Sequence, residues 1–229
     1  PDSTTLKDAI AYAYGKGVTI VAACGNDNIG SCLYPAAYDD YVIAVGATQY
    51  DETKAPYSSY GPSLDLVAPG GNNNLDQNGD GYADGVLQQT FRSSRYLCSF
   101  AYYFFQGTSM ATPHVSGVAA LLLSKGNAIT PDEVRTALQN TAEDLGTAGR
   151  DDTYGYGLVD AFAALNWVAG PQPNKPPIAN AGPDQTRNDS DGNGTETVTL
   201  DGSSSYDPDG SIVFYEWKEG NILLGTSTS

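Results

Sequence analysis
The sequence predicts an α/β protein built on a mostly parallel β-sheet. Three observations carry that prediction. Apolar runs bounded by glycine or turn residues recur at Val18–Ala23, Tyr41–Val45 and Leu64–Ala68. Their apolarity is continuous rather than alternating, as in strands buried on both faces. Helical patterns alternate with these runs, which favours crossover connections between parallel strands. With 229 residues, 40% of them hydrophobic, the chain can bury a sizeable core.

The elements follow in order. Thr4–Gly15 reads as an amphipathic helix with Leu6, Ile10 and Ala13 on one face, capped by Asp2, Ser3 or Thr4 and ended by Gly15 and Gly17. The three strand runs come next. After the Gly/Asn/Asp-rich stretch Gly70–Gly85, Val86–Phe91 and Tyr96–Phe105 read as two β segments around Arg92–Arg95. Ser109–Lys125 reads as a small-residue helix, apolar nearly all round over Val118–Leu123, and is expected to be buried. Thr130, Pro131 and Glu133 form a capping box at the start of another helix. Leu158–Val168 reads as the last helix. The segment 169–177 is a proline-rich linker, with Pro171, Pro173, Pro176 and Pro177. Beyond it, Val198–Leu200 and Ile212–Trp217 read as strands separated by Asp/Gly/Ser turns, which is about half of a β-sandwich pattern.

Composition excludes several function classes. Asp and Glu number 27 against 11 Lys and Arg, a net charge of -16. A general nucleic-acid binder is excluded, because neutralising phosphates takes basic patches. An acidic surface instead suits solubility, salt tolerance and calcium. No apolar run is long enough to span a bilayer. No leader pattern is visible at Pro1, and the helix pattern begins at once, so the sequence is expected to start within a domain. The three cysteines, Cys24, Cys32 and Cys98, cannot all pair within one chain. Cys24 and Cys32 flank a turn-rich stretch, so either a small disulfide loop or buried free thiols fits. One histidine and no C-x-x-C pair argue against a zinc site.

The chemically informative stretch is Gly107-Thr108-Ser109-Met110-Ala111-Thr112-Pro113-His114. A serine opens a buried helix directly after a glycine turn, where the helix dipole favours a developing oxyanion. Ser109 reads as the N-cap, which would place Pro113 among first-turn positions whose N–H groups have no intrahelical partner. It is either an ordinary cap or a nucleophile. His114 lies about 140° round the helix axis from Ser109 and cannot bond its hydroxyl. It is expected to be a packed structural histidine. A second feature is Ala22-Ala23-Cys24-Gly25-Asn26-Asp27, where an asparagine follows a strand through a glycine. Asn26 is either a turn residue or a side-chain donor to an oxyanion at the carboxyl end of a parallel sheet.

GTSMATPHVSG over Gly107–Gly117 closely resembles the nucleophile motif of the subtilisin-like serine proteases, the subtilases. VAACGN at Val21–Asn26, Tyr34–Thr48, Tyr57–Gly70 and YGYGLVDA from Tyr154 resemble further segments of that family in order, so the likeness covers about Leu6–Leu165. It implies a three-layer subtilisin-like fold, here partial, over residues 1–168. It also implies Ser109 as nucleophile on a peptide carbonyl, with Asn26 and the Ser109 N–H as oxyanion donors. The family's Asp–His–Ser triad draws its Asp and His from upstream of this region. The sequence is therefore expected to be a fragment of a secreted serine endopeptidase, inactive alone, acting on proteins or peptides. The alternative is a non-catalytic extracellular surface or adhesion protein with a degenerate protease fold. An α/β-hydrolase esterase is rejected, because Gly107–Ala111 lacks the second glycine of that fold's nucleophile turn.

Asp76, Asn78 and Asp80 alternate, with Gly81 sixth, the Tyr82 carbonyl seventh and Asp84 ninth, as at the start of an EF-hand-type calcium loop. The twelfth position is Leu87, so the closing Glu is missing. Either structural calcium or a solvated turn fits, and in this family calcium commonly protects surface loops from self-cleavage. PPIANAGPDQ, VTLDGSSSYDPDG and Ile212–Trp217 resemble a PKD domain, an Ig-like β-sandwich module, over 178–229 but incomplete. The resemblance implies contact with insoluble substrates or surfaces. Asn188 and Asn193 begin N-x-[ST] sequons.

Overall fold
A computed structural model of the chain describes residues 2–91, 100–125, 130–167, 176–207 and 211–228. The chain divides into two compact units, Pro1–Ala169 and Gly170–Ser229.

In the first unit, helix α1 (Thr4–Gly15) is N-capped by the Ser3 hydroxyl, which accepts the Leu6 N–H. It closes in a Schellman motif. Gly17 takes a φ of 83°, its N–H bonds the Tyr14 carbonyl, and the Val18 N–H bonds the Ala13 carbonyl. Strands β1 (Ile20–Ala23), β2 (Val42–Thr48) and β3 (Leu66–Pro69) form a parallel sheet in the order β1-β2-β3. Central β2 is buried throughout, so its side chains alternate between two cores. Ile43, Val45 and Ala47 join the core built with helix α2 (Thr108–Ser124), α3 (Pro131–Thr141) and α4 (Ala161–Asn166). Ala44 packs with Cys24, Leu64 and Val67, and Val42 with Ile10 of α1 and Tyr38, on the opposite face. Between β3 and α2 lies an antiparallel hairpin, β4 (Val86–Phe91) and β5 (Phe100–Phe105).

A buried carboxylate ties the sheet to α3. Asp65, 3% exposed, accepts the Ala44 N–H at 2.7 Å. It also accepts Arg135 Nε at 2.7 Å and Gln139 Nε2 at 2.7 Å. The capping box of α3 forms as expected: the Thr130 hydroxyl accepts the Glu133 N–H, and Glu133 Oε2 accepts the Thr130 N–H.

Several expectations are corrected. Strand β1 is only partly buried, because among the described strands it pairs with β2 alone. Leu6 of α1 and Leu121 and Leu123 of α2 are exposed. The helix expected over Leu158–Val168 begins at Ala161, capped by Asp160. The preceding residues run extended beside β3, where the Val67 N–H bonds the Gly157 carbonyl and the Val159 N–H bonds the Val67 carbonyl. That backbone demand outcompetes the apolar helical pattern.

The turn before that segment is pinned by Asp151. Burial pushes its pKa up, but backbone N–H groups of Tyr154, Thr147 and Thr153 and the charge of Arg150 outweigh it and hold the pKa below the ordinary 3.8. A depressed folded-state pKa gives stability that is present above the unfolded value and lost as pH falls through the folded one. The urea midpoint should therefore drop as pH falls below about 3.8. In Asp151→Asn that drop should be visibly shallower, and an unchanged pH profile in the variant would contradict this role.

In the second unit, β6 (Phe214–Glu219) and β7 (Ile222–Thr228) form an antiparallel hairpin, and Ile178 bridges Tyr206. The strand expected at Val198–Leu200 does not form, and no sandwich assembles among the described residues. Val213, Phe214, Ile222, Leu223 and Leu224 are exposed, since a lone hairpin buries little apolar surface. Most of the linker and the Asp209-Gly210 turn lie outside the described residues.

Candidate active site
Helix α2 starts one residue earlier than its sequence pattern indicates. Its N-cap is Gly107, at φ 146° and ψ 160°, with no side-chain cap. Ser109 is therefore the second helical residue rather than the cap, and its side chain is exposed. Pro113 falls inside the helix and supplies no N–H for the Ser109 carbonyl. The Thr112 hydroxyl donates to the Thr108 carbonyl in the same turn at 2.8 Å.

The first-turn donors are distributed unevenly. The Thr108 N–H bonds Asn26 Oδ1 at 2.9 Å. The N–H groups of Met110 and Ala111 both bond the Gly107 carbonyl. The Ser109 N–H alone has no partner among the described residues. It stands at the positive end of the helix, beside its own exposed hydroxyl.

Asn26 completes the arrangement. It follows β1 through Gly25, whose φ of 125° turns the chain. Its Oδ1 accepts both the N–H and the hydroxyl of Thr108 at 2.9 Å each. A backbone N–H can only donate, so the oxygen must face Thr108, and Nδ2 remains as the free donor. A methyl built on Gly107 would lie 3.5 Å from Asn26 Nδ2 and 3.7 Å from the Ser109 nitrogen. The two unused donors thus flank one small space at the start of the helix that carries Ser109. Chemically, this pair can hold the oxyanion of a tetrahedral adduct on Ser109.

Two further segments brace the site. The Asn26 loop is laced to residues 57–60: the Asn28 N–H bonds the Tyr57 carbonyl, the Ser59 N–H the Gly25 carbonyl, and the Tyr60 N–H the Ile29 carbonyl. At the base of the same loop, Cys24 and Cys32 are joined in a disulfide with a Cα–Cα distance of 4.3 Å. Cys98 lies outside the described residues. The Tyr57 hydroxyl accepts the Gly107 N–H at 2.9 Å and donates to the Gly71 carbonyl at 2.7 Å. Burial pushes its pKa up to about 12 against the opposing Gly107 N–H, so it stays protonated at any working pH. Sequence reasoning missed this contact, because a lone loop tyrosine carries no periodic or motif signal. His114 is exposed rather than packed, and its Nδ1 bonds the Met110 carbonyl at 2.9 Å.

The acidic loop folds as a series of side-chain turns. Asp76 accepts the N–H groups of Gly79, Asp80 and Gly81. Asn78 accepts that of Asp80, and Asp80 that of Tyr82. Asp84 accepts the Gln77 N–H. The donor set is all oxygen and suits a hard cation. Among the described residues, however, the acidic side chains that converge within 4.8 Å of one another are Asp189, Asp191 and Glu196. Asp189 there repeats the turn of Asp76, accepting from Gly192, Asn193 and Gly194. The signal is present in the sequence as Asp-x-Asp-x-Asn-Gly from Asp189, overlapping the sequons.

A parallel α/β sheet with a serine in the first turn of a buried-face helix and an amide donor beside it has parts that an acyl-transfer hydrolase site requires. Comparison with known proteins narrows the class. Residues 1–157 match peptidase S8, the subtilase family, and the chain belongs to that family. Subtilisin Savinase of Lederbergia lenta is 41% identical over 162 residues, covering 71% of this chain and 51% of its own. The thermophilic serine proteinase of Bacillus sp. (strain AK1) is 36% identical over 165 residues, covering 72% of this chain and 35% of its own. A solved structure of a protease from Pseudoalteromonas arctica matches with a TM-score of 0.63 at 35% identity, over 72% of this chain and 47% of that one. The chain thus spans about half the length of these relatives, or less.

Proposed function
We propose that this chain is the nucleophile-bearing part of a secreted serine endopeptidase. The observation that carries the proposal is the pair of donors unpartnered among the described residues, Asn26 Nδ2 and the Ser109 N–H, flanking one space at the start of the helix that carries Ser109. Ser109 Oγ attacks the substrate carbonyl carbon, and its proton passes to a histidine from outside this sequence, since the chain's one histidine is His114. The carbonyl oxygen becomes an oxyanion and takes hydrogen bonds from Asn26 and Ser109. Collapse breaks the peptide C–N bond, the amine leaves with the proton, and water then hydrolyses the acyl-enzyme. Without the partnering Asp and His, this segment alone is expected to be inactive.

Three finer points belong to the same reading. Asp76, Asn78, Asp80, the Tyr82 carbonyl and Asp84 would hold a structural calcium, which adds loop stability and no chemistry. The Cys24–Cys32 bridge fits an extracellular setting. Residues 178–229 are the start of a PKD-like module that contacts insoluble substrate or a surface, supported by the β6–β7 hairpin and the Ile178–Tyr206 bridge.

A fluorophosphonate probe tests the central claim. The full-length protein should be labelled on Ser109, and Ser109→Ala should not. A correctly folded, mature full-length protein that resists labelling would replace this reading with the non-catalytic surface-protein one.

A further inference from the structure
We infer that the Tyr57 hydroxyl is a positioning group for the oxyanion site, holding the Gly107 turn in register with the Asn26 loop. The inference rests on the serine-peptidase reading above. Tyr57 reaches both halves of the site from one residue. Its carbonyl accepts the Asn28 N–H at 2.9 Å, two residues beyond Asn26. Its hydroxyl accepts the Gly107 N–H at 2.9 Å, two residues before Ser109. The hydroxyl's own proton goes to the Gly71 carbonyl at 2.7 Å, just past the end of β3. The Gly107 N–H is shared with the Gly70 carbonyl at 3.0 Å.

The consequences of that geometry are specific. Gly107 sits at φ 146°, where nothing intrinsic to the backbone fixes it. Its carbonyl is held from within the helix by the Met110 and Ala111 N–H groups, and the two external bonds to its N–H anchor the turn from the other side. The surroundings are tight: a methyl on Gly70 would lie 2.4 Å from the Ala47 Cβ, 2.9 Å from the Gly107 carbonyl oxygen and 2.9 Å from the Tyr57 hydroxyl. The Gly107 carbonyl, the Tyr57 hydroxyl and Ala47 thus crowd the same side of Gly70. Removing the hydroxyl leaves Gly107 its bond to Gly70, so the site loosens rather than collapses. The Asn26 loop stays held by main chain that the substitution does not touch.

Tyr57→Phe in the full-length protease, with turnover referred to titrated active sites, tests this. The expected result is a kcat lower by about three- to tenfold with KM changed by less than about twofold, the pattern of an interaction felt mainly in the transition state. Affinity for a peptidyl boronic acid, whose adduct places an oxygen in the oxyanion site, should weaken by a similar factor. An unchanged kcat would overturn the assignment. A fall in the titratable fraction or in Tm with normal turnover per site would overturn it too, as a purely structural role. Failure of the parent reading looks different: neither Ser109 labelling nor Ser109→Ala would register.

Discussion

Asn26→Ala in the full-length protein is expected to lower kcat by about 10²–10³ while KM moves by less than about threefold; the kcat range is the one measured for an oxyanion donor in subtilisin itself and is carried over from that relative. The reason is the division of labour within one amide. Oδ1 is committed to the Thr108 N–H and hydroxyl at 2.9 Å each, so the side chain is oriented before substrate arrives, and Nδ2 needs no reorganisation to meet a developing charge. The ground-state carbonyl gains little from that donor, which is why the loss belongs in kcat. Steady-state kinetics on a peptide amide check it, with fluorophosphonate labelling as the control that Ser109 remains reachable. A kcat within about threefold of the parent would remove Asn26 from the oxyanion site.

Arg135→Met is expected to destabilise the protein by about 3–5 kcal/mol, the usual cost of stranding one member of a buried ion pair. Asp65 is 3% exposed. It would keep the Ala44 N–H and Gln139 as partners but lose the cation whose Nε lies 2.7 Å away. Arg135 also reaches the exposed Asp39 at 2.8 Å. That outer contact is solvent-screened and contributes little. The check is a double substitution. Asp65→Asn with Arg135→Met removes both charges while the amide oxygen can still accept from Ala44, so it should recover most of the loss in denaturant midpoint. A single variant as stable as the parent would mean that water reaches Asp65.

Much of the candidate site was legible because the two residues proposed to carry its chemistry, Ser109 and Asn26, sit in contiguous motifs, GTSMATPH and VAACGN, and each motif encodes a local turn. The parallel strands were legible too, since β2 really is buried on both faces. What was not legible depends on partners remote in sequence. Apolar periodicity marks Leu6, Leu121 and Leu123 as side chains that can be covered, but not what covers them. Residues 158–160 look helical locally, yet β3 draws Leu158 and Val159 into an extended run. Tyr57 and Gly107 are 50 residues apart, and no local pattern announces a hydrogen bond across that separation. The N-cap falls two residues before the serine that local chemistry selects, because serine is the stronger capping type, whereas a backbone at φ 146° selects glycine.

That glycine answers two unrelated selections at once. On the serine-peptidase reading the turn needs a residue free of the usual dihedral penalty, and the oxyanion site needs open space between its two donors, where a Gly107 methyl would lie 3.5 Å from Asn26 Nδ2 and 3.7 Å from the Ser109 nitrogen. An alanine would fail the first test by strain and the second by filling the cradle with its own methyl. On that reading, the space for the reacting oxygen is written into the chain as a missing carbon. A search for proteins that share this chemistry should weigh that omission as heavily as the serine two places on.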